Sequence, residues 1–203
     1  MLRLIRILAW VLLLGGALLF AQGSFIHAKA LVAQQLLQFA WQQSQQQGEP
    51  VRPWPWADGY PIARLQIPRI KLDQLVLAGS SGRNLAFAPT HLLGSAAPNS
   101  GGTTVLSAHR DTHFEGLQEL VPGDRLTLQG PNGERHYRVE SMSVADSRHQ
   151  ELSLDAGDRL LLVTCYPFDA LQAGGPLRYV VNAVPIPQAI VAATGPEKPR
   201  WFF

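Results

Sequence analysis

The chain holds a single cysteine, Cys165. It ends the apolar run "LLLVT", and Tyr166 and Pro167 follow it at once. Proline cannot continue a central strand, so the thiol is placed at a strand end, where a cleft can form. His109 ends a second strand-like run, "TTVLSA". Arg178 lies in the run after the loop "DALQAGG". A cysteine nucleophile needs a base or a depressed pKa to be a thiolate near neutral pH. A histidine on a neighbouring strand end meets that need. An arginine keeps its proton and offers fixed donors, which suit a substrate carbonyl or the oxyanion of a tetrahedral intermediate. Three such residues at three strand ends make a site for cysteine-based acyl transfer.

Each residue also has a plainer reading. Cys165 can be a small buried hydrophobe, as free cysteines often are. Arg178 can be a surface ion-pair partner. His109 and His113 stand four apart, and on a helix they could hold zinc with Asp111 or Cys165. The preceding "TTVLSA" reads as strand, which disfavours that ligand set, and no metal is expected. His113 is expected to pack on a following short helix, and Asp111 either pairs with Arg110 or holds a turn. His91, in "PTH", and Thr164, just before the thiol, are candidates for substrate binding or for structural roles alone. His27, His136 and His149 are assigned to the stalk and to solvated strands or loops.

The elements that must position these residues follow from pattern. Apolar residues make up 46% of the 203-residue chain and charged ones only 16%. A soluble domain carries about 25% charged residues, so part of the apolarity belongs to a non-globular segment. The N-terminus supplies it. Arg3 and Arg6 precede an uncharged, mostly apolar run from Ile7 to Ala21. Positive charge before such a run keeps the N-terminus in the cytoplasm. Flanking apolar residues bring it to the roughly 20 that span a bilayer. A signal peptide cleaved near Ser24 is the competing reading. The Gln-rich stretch up to residue 47 continues the helix as a stalk, so residues 1–47 form anchor and stalk. Residues 48–60, rich in Pro and Trp, are an extended connection with Trp54 and Trp56 packing into grooves.

From residue 61 the pattern changes to short alternating runs bounded by Gly, Pro, Asn and Asp. Candidates are "IARLQIP", "IKLDQLVLA", "TTVLSAH", "DRLTLQG", "RHYRVESMSVA", "DRLLLVTC" and "LRYVVNAVPI". "GPNGE" reads as a hairpin turn. Short helices are expected at "HFEGLQEL" and "RNLAFAP". Seven or eight short strands over 61–187 indicate an all-β barrel or sandwich, with residues 188–203 as a tail. The net charge of +2 gives no nucleic-acid footprint. No phosphate loop, EF-hand, HExxH or GxSxG motif is present, and no cofactor is expected.

"LLVTCYPFDALQAGGPLRYVV" with "TTVLSAHRDTHF" upstream resembles the sortases, which are membrane-anchored cysteine transpeptidases. "FAPTHLLGSAAPNSGGTT" resembles the segment before their histidine. "PWPWADGYPIARLQIPRI" resembles the Gram-negative, marine proteobacterial subgroup, class GN. The resemblance covers about residues 54–184. It implies a closed eight-stranded β-barrel behind a transmembrane helix. It makes Cys165 the nucleophile, His109 the acid or base and Arg178 the oxyanion group, with the Tyr166 N–H as a second donor. The implied substrate is a protein with a C-terminal LPXTG-like signal, cut between Thr and Gly and passed to an amine acceptor. The implied place is the bacterial inner membrane, with the catalytic domain in the periplasm. "AHRD" departs from the commoner "GHR". Two other functions compete: an L,D-type peptidoglycan transpeptidase, and a non-catalytic anchored β-domain. The first typically places His and Gly beside its cysteine, where this chain has Val163 and Thr164.

Overall fold

The computed structural model describes residues 2–155, 157–170, 172 and 174–187. Helix α1, Leu2–Gln47, precedes eight strands. These are β1 Pro61–Ile67, β2 Leu72–Ala78, β3 Thr90–His91, β4 Thr103–Ser107, β5 Arg125–Gly130, β6 Gly133–Asp146, β7 Arg159–Cys165 and β8 Leu177–Pro185. They close into a barrel in the order β1-β2-β3-β4-β7-β8-β6-β5. The β2–β3 and β4–β7 pairs are parallel and the rest antiparallel. Closure leaves no free sheet edge. The all-β barrel expected from the sequence is therefore the observed fold. The short two-residue β3 carries no periodic signal and is the strand that pattern reading misses.

Alternate residues face inward, as a strand requires. Ala63, Leu65, Ile67, Leu106, Leu126, Leu128, Leu160, Leu162, Val181 and Ala183 fill the interior. Tyr137 joins them, its hydroxyl donating to Asn99 Oδ1 at 3.0 Å. Asn99 Nδ2 in turn donates to the carbonyls of Leu128 and Gly133. That side chain joins the loop before β4 to the β5–β6 hairpin, where Gly133 has φ of +91°. "HFEGLQEL" forms a 3₁₀ turn, Glu115–Glu119, which carries Leu117 into the core beside Phe114. "RNLAFAP" contributes only the short helix α2, Gly82–Leu85, capped by Ser81 Oγ accepting from the Asn84 N–H.

Helix α1 is long and apolar enough to cross a membrane, by length and composition. Its large apolar side chains are exposed from Leu4 to Phe25. Further along, Ala33, Leu37, Ala40 and Trp41 are buried. Their spacing marks one face of a helix. Leu37 and Trp41 pack on Leu75, Leu77 and Ala88 of the barrel wall, and Gln34 Nε2 donates to the Phe87 carbonyl. The stalk is thus docked on the barrel between Ala33 and Trp41 rather than standing free. Trp54 meets Phe87 edge-on at 5.2 Å, but Trp56 is 78% exposed and fills no groove. The tail at 188–203 and the side chain of His27 lie outside the described residues.

Candidate active site

The strand registers place the candidate residues without any further device. Cys165 on β7 stands directly opposite Arg178 on β8, and Arg178 opposite Ala145 on β6. Two residues further into the strands, Ser107, Val163, Val180 and Ser143 form the next row on the same face. Leu160 and Leu162 point into the core, while Leu161 and Val163 belong to a separate apolar cluster with Val105, Val180 and Ala145. Alternation then puts Cys165 and Arg178 on the outer face, at the end of that apolar strip. His109 follows β4 by two residues. The β4–β7 ladder continues past Ser107 through the Ala108 N–H, which donates to the Val163 carbonyl at 3.2 Å. By the same alternation His109 stands level with Cys165 on the outer face. Thiol, imidazole and guanidinium therefore share one end of three adjacent strands.

The thiol is half-buried and free, and the His109 side chain is exposed. Arg178 forms no ion pair among the described residues. Its Nη1 donates to the carbonyls of Gly175 at 2.6 Å and Leu177 at 2.9 Å. Those bonds aim the guanidinium and leave the other nitrogens for a ligand. Thr164 is buried, and its Oγ1 donates to the Ala108 carbonyl at 2.8 Å. That bond ties the residue before the thiol to the residue before the imidazole. Thr164 thus acts from inside the barrel rather than on its outer face.

The Tyr166 N–H donates to the Leu177 carbonyl at 3.0 Å. It is spent on holding β7 to β8, which removes it as the second oxyanion donor. Its ring stacks on Tyr179 at 6.3 Å and meets Phe168 edge-on. Phe168 in turn meets Tyr179 at 5.2 Å. This aromatic cluster stands immediately beyond the thiol.

His91 lies apart from this group, on β3, two strands from β7. Its Nε2 donates to the Ala96 carbonyl at 3.0 Å, and burial holds its pKa below the ordinary histidine range. It lines a cavity of about 430 Å³ between the end of α1 and the barrel, with Trp41, Tyr60, Leu93 and Pro98. His113 is half-buried beside His109. Burial first, and the charge of His109 second, lower its pKa. No group of three His, Cys, Asp or Glu side chains with metal-binding geometry occurs among the described residues. Arg110 and Asp111 form no ion pair with each other; Arg110 is buried and bonds elsewhere, a feature sequence reading does not anticipate.

The chain is 32% identical over 119 residues to Sortase D of Bacillus subtilis (strain 168). That match covers 58% of this chain, which spans only 60% of the relative's length. Sortase C1 of Streptococcus agalactiae, solved in complex with MTSET, is 30% identical, with a TM-score of 0.55 over 63% of this chain and 68% of that one. Sortase A from Corynebacterium diphtheriae shares the fold, with a TM-score of 0.58 at 24% identity over 71% of this chain and 66% of that one. These are sortases of Gram-positive bacteria. They overturn the class GN assignment and, with it, the periplasmic location, since such cells lack that compartment. In the segment that suggested the subgroup, Trp54 rests on Phe87 and Pro61 opens β1. The Sortase domain family model matches residues 65–186, more than half of the 203-residue chain, and on that match the chain belongs to the sortase family.

Proposed function

We propose that this chain is a membrane-anchored cysteine transpeptidase acting on an LPXTG-like sorting signal, with Cys165, His109 and Arg178 as its catalytic residues. The observation that carries this reading is the direct pairing of Cys165 with Arg178 on the outer face, beside the end of β4 that His109 follows by two residues. The Cys165 thiolate attacks the carbonyl carbon of the Thr–Gly peptide bond. The carbonyl oxygen becomes an oxyanion, which Arg178 stabilises. Protonated His109 gives its proton to the leaving amine, the C–N bond breaks and a thioester remains. An incoming amine attacks the thioester, forms a new amide and releases the thiolate. His109 takes the proton that the amine loses.

Intact-mass spectrometry of the full chain in detergent, incubated with an LPXTG-type peptide, tests this directly. The expected adduct equals the peptide minus its post-threonine part. It is released by hydroxylamine and absent from Cys165→Ala. A readily alkylated Cys165 with no adduct refutes the sorting signal. An unreactive thiol with no adduct refutes the enzyme.

A further inference from the structure

Arg110 follows His109, yet its side chain goes the other way. It is 6% exposed. An arginine at that depth ordinarily has a carboxylate partner, because an unpaired buried charge is costly. Among the described residues Arg110 has none. Its Nη2 donates instead to two main-chain carbonyls, Ala170 at 2.7 Å and Gln172 at 2.9 Å. Both lie in the segment joining Cys165 to Arg178, about sixty residues away in sequence.

Ala170 and Gln172 lie outside the strand ladder, and their carbonyls take these bonds from Arg110. Bonds from a charged donor are the strong kind. The same segment holds Arg178 from its other end, through the Gly175 and Leu177 carbonyls. Arg110 thus bonds this segment at Ala170 and Gln172, and Arg178 bonds it at Gly175 and Leu177. We propose that Arg110 is a positioning residue for the acyl-transfer site: its buried guanidinium ties the β7–β8 segment to the end of β4 and so holds Arg178 in place against Cys165 and His109. This inference rests on the catalytic roles proposed above. Lysine would keep the charge, but it lacks the planar fork that fixes direction.

The test compares Arg110→Met and Arg110→Lys with the wild type, as full chains in detergent. Arg110→Met is expected to lower kcat/KM about 10- to 100-fold, the loss falling on kcat because Arg178 acts in the transition state. Arg110→Lys should recover part of the rate. Amide hydrogen exchange over residues 166–177 should quicken in both variants, while alkylation of Cys165 by iodoacetamide stays at its wild-type rate. If Arg110 acts through Arg178, Arg110→Met added to Arg178→Ala costs nothing further. Multiplying losses, or wild-type kcat with unchanged exchange in either folded variant, would overturn the proposal. A wild type that turns over no sorting peptide refutes the catalytic reading instead. Exchange over 166–177 then still decides whether the tie exists, faster exchange supporting it and unchanged exchange removing it.

Discussion

At the scale of single residues the site divides into groups that face outward and groups that hold them. Cys165, His109 and Arg178 face outward, while Thr164 and Arg110 are buried beside them. The outward residues are expected to fail chemically and not structurally. His109→Ala and Arg178→Ala should each lower kcat/KM by at least ~100-fold, as for a single acid–base or oxyanion group. Their thermal unfolding should match the wild type; near-normal rates for either would remove it from the mechanism. Buried His91 and half-buried His113 predict a different signature. His91 and His113 have folded pKa values pushed below the unfolded value of 6.5, chiefly by burial. The unfolded chain therefore binds more protons just below pH 6.5. Their contribution to stability is complete above that pH and is lost as pH falls through the folded pKa values. Tm should decline on acidification from pH 7.5 to 5, and His91→Asn with His113→Asn should flatten the decline. An unchanged slope in the double variant would show that other groups govern it.

At the scale of elements, the informative one is α1. Its first half presents apolar side chains outward on every face, and its second half buries a stripe against the barrel. One continuous helix therefore carries both a run long and apolar enough to cross a membrane and a face docked on the domain. Leu37 is fully buried at that junction. Leu37→Ala should destabilise by about 2–3 kcal/mol, the low end for a buried leucine, since the outer wall can partly collapse on the gap. Calorimetry should show Tm lower by roughly 5–10 °C. Activity at 25 °C should stay near wild type, because Leu37 clusters with Trp41, Leu75, Leu77 and Ala88, away from Cys165, His109 and Arg178. A Tm unchanged by the substitution would mean that the docked helix contributes no stability.

At the scale of the whole molecule, the barrel and its helix form one unit with a shared cluster. A chain starting at residue 48 loses the helix and bares Leu75, Leu77 and Ala88, whereas one starting at residue 30 keeps them covered. Exposed apolar patches of this kind favour association. The shorter chain should aggregate at concentrations where the longer one is monomeric by light scattering. Equal behaviour would deny the helix its covering role. In cells, the full chain should stay with the membrane fraction with its N-terminus intact. A soluble form beginning near Ser24 would support cleavage instead.

The sequence by itself determined the strand-rich domain, the apolar N-terminal run and the candidate trio. Periodicity reports strands locally, and a lone cysteine at a strand end with His109 and Arg178 at others is a linear signal. It did not determine the subgroup: the Pro- and Trp-rich segment pointed to class GN, whereas the relatives are sortases of Gram-positive bacteria. Only the tertiary structure decided which face the thiol takes, since that depends on register between strands distant in sequence. Only the tertiary structure spent the Tyr166 N–H on Leu177, sent His91 to a cavity beside the helix and turned Arg110 inward. Each of those outcomes depends on a partner far along the chain, and hydrogen-bond partners at that range leave no trace in local spacing.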